Sequence, residues 1–360
     1  MLLEIPKYFS KLTKSSILNF ILISQIFLGN YYEISDITSI CNIIKIYCFG
    51  FTVLMMFLCQ YYISFISMFL FLSLEYFLIS VFFLITGQRY IHMYYNAIQI
   101  SDTVMGFKNV SLVPFVSFLY LLIILVLRCT AIYCRSGYIS IFPPIVLKLV
   151  TSDCNHFMGS ILFSSLLVRM KLLRQCFKNI SVPINIVGRD EVDKNVKNIR
   201  NCLNYYKNLM DSLLHINNEI QLLLCIMLVS NVPRWIMASY QVIYFHFIEG
   251  SSSKLQYIAN LSVIIETFVA SCSPTIVTEL IKVEVNGMKS ILASHIARCT
   301  DSSIQHELQR ALRYITTRPF RLSVTQIIEL DLKLTFSISC LCVTYIIVAF
   351  QFTHFTETVA

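Results

Sequence analysis

Seven continuous apolar runs constrain this chain more than any other feature. They are Ser39 to Tyr61, Ser64 to Thr86, Leu112 to Ile132, Ile145 to Val168, Ile220 to Phe245, Leu255 to Val277 and Leu332 to Phe352. Each is about the 20 residues that a helix needs to cross the hydrocarbon core of a bilayer. The runs do not alternate, so helices that pair their own backbone groups are expected and a barrel is not. Only 13% of the 360 residues are charged, against roughly 25% in a soluble domain, so a water-facing surface is out of reach. The expected fold class is all-α: a polytopic membrane protein with seven transmembrane helices.

Loop cations give the direction of threading. Of the 28 Lys and Arg, 22 fall on one side of the runs, and only Arg135, Lys148 and Lys254 fall on the other. The net charge of +8 is therefore read as cytoplasmic loop charge, with no nucleic-acid partner. The N-terminus is expected in the cytoplasm and the C-terminus outside. Residues 1–38 then form a cytoplasmic segment and 39–168 carry helices one to four. Residues 169–219 are a cytoplasmic loop, and 220–277 carry helices five and six. Residues 278–331 form a cytoplasmic helical base, 332–352 the seventh helix and 353–360 an extracellular tail. A seven-helix G-protein-coupled receptor threads the other way. It also shows a D-R-Y-like cluster after helix three and N-P-x-x-Y in helix seven, and neither occurs here. The sequons at Asn109 and Asn179 fall in cytoplasmic loops and the one at Asn260 inside a helix, which denies all three to glycosylation.

Ahead of the first run, Lys7, Lys11 and Lys14 precede the short apolar stretch Ile17 to Leu28, but no small-residue cleavage site follows it. The expectation is an amphipathic segment lying on the membrane surface. In the fourth loop, Val192, Val196, Ile199, Leu203, Tyr206, Leu209, Met210, Leu213 and Leu214 recur at helical spacing. Met288, Ile291, Leu292, Ile296, Ile304, Leu308, Leu312 and Ile315 do the same in the sixth. Two such stripes must bury against each other, so a packed intracellular base is expected, with the first stripe prolonging helix five.

No Gly-rich phosphate loop, HExxH, GxSxG or catalytic Cys/His pair is present, and nine glycines leave little for phosphate cradling. The chain is not read as an enzyme, and no cofactor or metal is expected. The 13 cysteines lack metal or disulfide spacing; one pair, Cys134 with Cys154, is placed to bridge outside the membrane. Ionisable residues inside a bilayer mark function more often than chance. Here they are Glu75, beside Tyr76, then Asp153, His156, Arg234 and Glu266. Each also admits the plain reading of a polar group satisfied by a neighbouring helix. The outer half of helix five adds Trp235, Tyr240, Gln241, Tyr244, Phe245 and His246. Aromatic rings with polar tips suit a small organic ligand, though Tyr244 to Phe247 fit an interfacial belt better. Pro233 and Pro274 are placed to kink helices five and six.

The last run ends TYIIVAFQF, Thr344 to Phe352. A mere anchor has no use for Thr, Tyr and Gln in its outer half. The pattern T-Y, five residues, Q-F resembles the signature of the last helix of insect gustatory receptors. The block RALRYITTRPFRLSVTQIIELDLKLTFSISCLC before it resembles the join to that helix. FSSLLVRMKLLRQCF and LHINNEI are weaker likenesses. Two departures stand out: ALRYITTRPF lacks the usual Phe- and Gln-rich run, and Ile346 stands where the sugar-sensing branch tends to carry Glu. The resemblance implies a bitter-type or orphan receptor in a sensory neuron's plasma membrane. It implies a ligand-gated, non-selective cation channel of four subunits, homo- or hetero-tetrameric with related receptors, in contact with membrane lipid. Helix seven would line the pore, with Thr344, Tyr345, Ile347, Val348, Gln351 and Phe352 as pore or gate residues. Thr344, Ile347 and Gln351 share one stripe and Tyr345, Val348 and Phe352 the next; which faces the pore stays open. A small-molecule tastant would sit among helices two to six, near Glu75, Tyr76, His156, Trp235, Tyr240, Gln241, Tyr244 and Glu266. An odorant-receptor-like channel is the near alternative. A metabotropic receptor is opposed by the charge asymmetry, and a secondary transporter by the lack of an internal repeat.

Overall fold

The computed structural model describes residues 16–33, 37–63, 68–87, 89–107, 110–111, 113–135, 143–180, 189–247, 254–324 and 328–359. It is an all-α polytopic membrane fold. In chain order the helices are α1 (Ser16–Phe27), α2 (Thr38–Ile63), α3 (Met68–Thr86), α4 (Arg89–Met105), α5 (Phe115–Arg135), α6 (Pro143–Lys178), α7 (Arg189–His215), α8 (Asn217–Phe247), α9 (Lys254–Arg298), α10 (Ser302–Thr317) and α11 (Leu332–Val359). Among the described residues, six helices are long and apolar enough to cross a membrane, seven if the bent pair α3–α4 is one span.

The second span is not a simple rod. The chain turns by 64° between α3 and α4. Gly87 makes the turn possible with φ +63°, a conformation that L side chains rarely adopt. Residues 89–105, expected as loop, are instead helix α4, and its Tyr94, Tyr95 and Ile98 are buried in the main core.

The stretch expected on the membrane surface is a correction. α1 lays one face on the bundle, burying Ile21, Leu22 and Gln25 while Phe20 and Phe27 stay exposed, and Asn30 just beyond it is buried as well. Gln25 Nε2 and Asn30 Nδ2 both donate to Asn155 Oδ1 of α6, at 3.2 and 3.1 Å. Apolar surroundings make such polar pairs hard to leave unmade, so they hold the segment in place. It turns back at Gly29, with φ +88°. A Cβ there would stand 2.6 Å from the Tyr76 hydroxyl and 2.7 Å from the Phe51 ring, so only glycine fits.

The two amphipathic stripes pack together in a helical base. α7 runs into α8 with only a turn at Ile216 between them. α9 continues for 45 residues, about 68 Å. The stripes of α7, α9 and α10 meet through Ile199, Tyr206, Leu209, Met288, Leu292, Ile304 and Leu308. The second stripe is divided between two helices. Asp301 caps α10, accepting from the backbone N–H of Ser303 (2.8 Å) and Ile304 (3.0 Å), which starts a new helix after α9 has ended. Arg200 pairs with Glu307 at 2.7 Å and Arg318 with Asp211 at 2.8 Å across the α7–α10 joint. α8 and α9 stay helical through Pro233 and Pro274. Cys134 and Cys154 are both free thiols, so the suggested external bridge is not formed.

Candidate functional site

Five helices bring ionisable side chains to one place in the apolar bundle. Asp153 of α6 takes two hydrogen bonds from Arg128 of α5, Nη2 to Oδ1 at 2.7 Å and Nε to Oδ2 at 3.2 Å. Arg128 Nη2 also contacts Glu266 Oε1 of α9. Arg234 Nη2 of α8 lies 3.6 Å from the same oxygen, and its Nη1 donates to Glu75 Oε2 of α3 at 3.1 Å. Glu75 Oε1 accepts from Ser152 Oγ at 2.8 Å and faces His156 Nε2 at 3.3 Å. Asn231 steadies Arg234 through its Oδ1 (3.3 Å) and stands 3.5 Å from His156. The network thus runs Asp153, Arg128, Glu266, Arg234, Glu75, His156, and all six are buried. Each lies in the half of its helix remote from the cation-rich ends.

Burying charge in lipid-facing protein is tolerable only when partners replace water. Three carboxyl groups meet two guanidinium groups and one imidazole. Glu266 Oε2 accepts no hydrogen bond from the described residues. The arrangement is therefore connected but not saturated. The next buried cation, Lys148, is one of three that charge counting placed outside. It lies within α6, donates to Ser73 Oγ at 2.9 Å and stands 5.7 Å from the centre of the Tyr76 ring.

Beneath the network lies a cavity of about 30 Å³ walled by Asn155, His156, Phe83, Leu162, Leu223 and Pro274. That is room for about two waters, well short of an organic molecule.

The expected ligand residues divide. Glu75, His156 and Glu266 come together in the network. Tyr76 belongs to the neighbouring contact with α1, donating to the Leu28 carbonyl at 3.0 Å. Trp235 turns the other way, into a crevice shared by α8, α9 and α11. Its ring lies 5.5 Å from that of Phe268, and both line a gap of about 10 Å³ with Thr335 and Ile338 of α11. Tyr240 and Gln241 are half-buried farther along α8; the side chain of Tyr244 lies outside the described residues. Arg128 was missed in the sequence, although it interrupts an apolar run just as Arg234 does.

α11 is the least enclosed span. Toward its own chain it buries Cys342 and Ile346, one helical turn apart. Its tie to α9 is the Thr275–Thr335 hydroxyl pair at 2.8 Å. Both stripes named above stay uncovered: Thr344, Tyr345, Ile347, Val348, Gln351 and Phe352 are all exposed. Within a single chain nothing distinguishes one stripe from the other.

A second buried ion pair lies toward the base. Arg169 donates through Nε and Nη2 to Asp102 of α4, the closest contact being 2.6 Å, and through Nη1 to the Ser165 carbonyl at 2.9 Å. The Tyr205 hydroxyl donates to the same carboxylate at 2.6 Å. Burial and this bond push the Tyr205 phenol up, so it remains a donor.

The profile of the 7tm chemosensory receptors matches residues 146–354, a stretch that runs from α6 to the end of the exposed last helix. No curated protein matches the chain in sequence. Among solved structures, the insect olfactory receptor OR5 from Machilis hrabei is similar, with TM-score 0.63 at 11% identity over 93% of this chain and 97% of that one. The same receptor in complex with eugenol gives TM-score 0.55 at 10% identity over 93% and 98%. At such identities the likeness is one of fold.

Proposed function

The chain belongs to the 7tm chemosensory receptor family, and on that premise we propose that it is a ligand-gated, non-selective cation channel. Its ligand is a small non-volatile compound of the bitter type rather than a sugar. The observation that carries this reading is the division of labour among the helices. The unsaturated network of Glu75, Arg128, Asp153, His156, Arg234 and Glu266 belongs to the enclosed helices, while α11 leaves both faces of its outer half uncovered. A helix so exposed is suited to meet its copies around a shared axis. In a tetramer, homomeric or with related receptors, Gln351 and Phe352 would form adjoining polar and apolar rings, which can pass hydrated ions and gate by dewetting. The ligand would bind where the network borders the small cavity. A ligand opens a channel only by differential contact with the open state. Here that means exchanging network partners and widening the cavity. Trp235 and Phe268 fill the crevice between these helices and α11, which offers a route for the movement. The absence of a Glu at position 346, after the T-Y pair, supports the bitter-type branch over the sugar-sensing one.

A second reading, an odorant-receptor-like channel, is favoured by the fold similarity to OR5 and by the eugenol complex of that receptor. Whole-cell recording of the chain expressed alone, against bitter compounds, sugars and volatile phenols, separates the two. Currents evoked by bitter compounds support the proposal. Responses confined to volatiles favour the second reading. Currents that require an active G protein would overturn both.

A further inference from the structure

At the cytoplasmic ends of α4, α6 and α7, the described residues line an open cavity of about 700 Å³. Its wall is half polar, with Asp190, Lys194, Asn195 and Asn198 from α7 and Asn179 just past the end of α6. Two cysteines line it as well, Cys176 from α6 and Cys202 from α7. Both are free thiols on neighbouring helices, close enough for each to perturb the other. They lie beyond Arg169, Lys171 and Arg174, on the cation-rich side of the membrane. Other cysteines of the chain are different: Cys48 and Cys342 are sealed in apolar helices, and Cys129 and Cys340 are exposed on helices that cross the bilayer. Nothing in ligand gating or ion passage uses the Cys176–Cys202 pair.

We propose that Cys176 and Cys202 form a peroxide-reactive dithiol, a reversible modification site that staples α6 to α7 when oxidised. The neighbouring Cys176 and burial push the Cys202 thiol up, so Cys202 keeps its proton and Cys176 is the attacking sulfur. Its thiolate takes one oxygen of hydrogen peroxide: the S–O bond forms, the O–O bond breaks, and hydroxide leaves and takes up a proton to become water. Cys202 then attacks the sulfenic sulfur. The S–S bond forms, the S–O bond breaks, and a second water leaves with the Cys202 proton. Two thiols and one peroxide give one disulfide and two waters, and thiol reductants reverse it. Access through an open cavity and an adjacent resolving thiol are features that mark a redox-sensitive cysteine.

The test uses the full chain purified in detergent, freed of reductant and treated with hydrogen peroxide. Trypsin then releases Cys176 in QCFK, residues 175–178, and Cys202 in NCLNYYK, residues 201–207. The expected product is one linked peptide, lighter by two hydrogens than its halves, lost on adding dithiothreitol. In Cys202→Ala the linked peptide is absent and dimedone labels Cys176 as the sulfenic acid. The Cys202→Ala sample is read only if it elutes like the wild type; otherwise the wild-type digest decides. Both thiols remaining free while Cys129 or Cys340 oxidises would overturn the site. Dimedone labelling of Cys176 in the wild type without any linked peptide would overturn the pairing.

Discussion

The chain buries ionic groups in two regions, and they are built on opposite plans. Toward the base, Asp102, Arg169 and Tyr205 form a closed set, in which one guanidinium and one phenol share one carboxylate with no acceptor left bare. Toward the other face, six groups from five helices form a branched set. Arg128 and Arg234 share Glu266 Oε1, while Glu266 Oε2 takes no bond from the described residues. A closed set has one good arrangement and acts as a staple between α4, α6 and α7. A branched set with a spare acceptor has a place where a donor can be exchanged, and on the proposed function the ligand makes that exchange. That is the property a ligand can exploit, by contacting one state better than the other.

The contrast can be broken first at Arg169. Replacing it by Met leaves Asp102 buried with only the Tyr205 hydroxyl, and removing one partner of a buried pair costs about 3–5 kcal/mol. Thermal unfolding in detergent is expected to show this as the largest loss. Glu266→Gln is expected to cost less, on the order of 1–2 kcal/mol, because Arg128 keeps Asp153 and Arg234 keeps Glu75. If Glu266→Gln unfolded the chain as readily as Arg169→Met, the two plans would not differ. The smallest effect belongs to Glu307, whose Arg200 partner is mostly in water. The Arg200 hydrogen bond holds Glu307 below the usual carboxylate range. Its contribution is therefore complete above the unfolded value of about 4.3 and fades only as pH falls through the lower folded value. Glu307→Gln should change stability by no more than about 1 kcal/mol at neutral pH and remove that acid-range decline. A loss at pH 7 as large as that of Arg169→Met would contradict the view that burial of both partners, rather than charge, sets these magnitudes.

Much of this was legible in the residues. Continuous apolar runs place the spans because a bilayer admits little else, and the stripes of α7 and α10 predict the base because a 3.6-residue period must be buried. What escaped depends on partners far away in sequence. α4 reads as loop because Asp102, Asn96 and Gln99 dilute its pattern, and Asp102 makes sense in a helix only beside Arg169, 67 residues on. α1 reads as a surface segment because Gln25 and Asn30 look solvated until Asn155 is brought to them. Glu75 and Arg234 were each visible as charges in apolar runs, but their pairing spans 159 residues. Trp235 was read as facing a pocket; helix spacing alone cannot tell that side from the one turned to α11.

Patch-clamp recording of two variants beside the wild type tests most directly whether the network senses and α11 conducts. The account predicts that Glu266→Gln moves the ligand concentration for half-maximal current and leaves single-channel conductance unchanged. It predicts that Gln351→Ala changes conductance or ion selectivity and leaves that concentration unchanged, with both variants at normal surface density. Wild-type conductance in Gln351→Ala together with altered conductance in Glu266→Gln would contradict it.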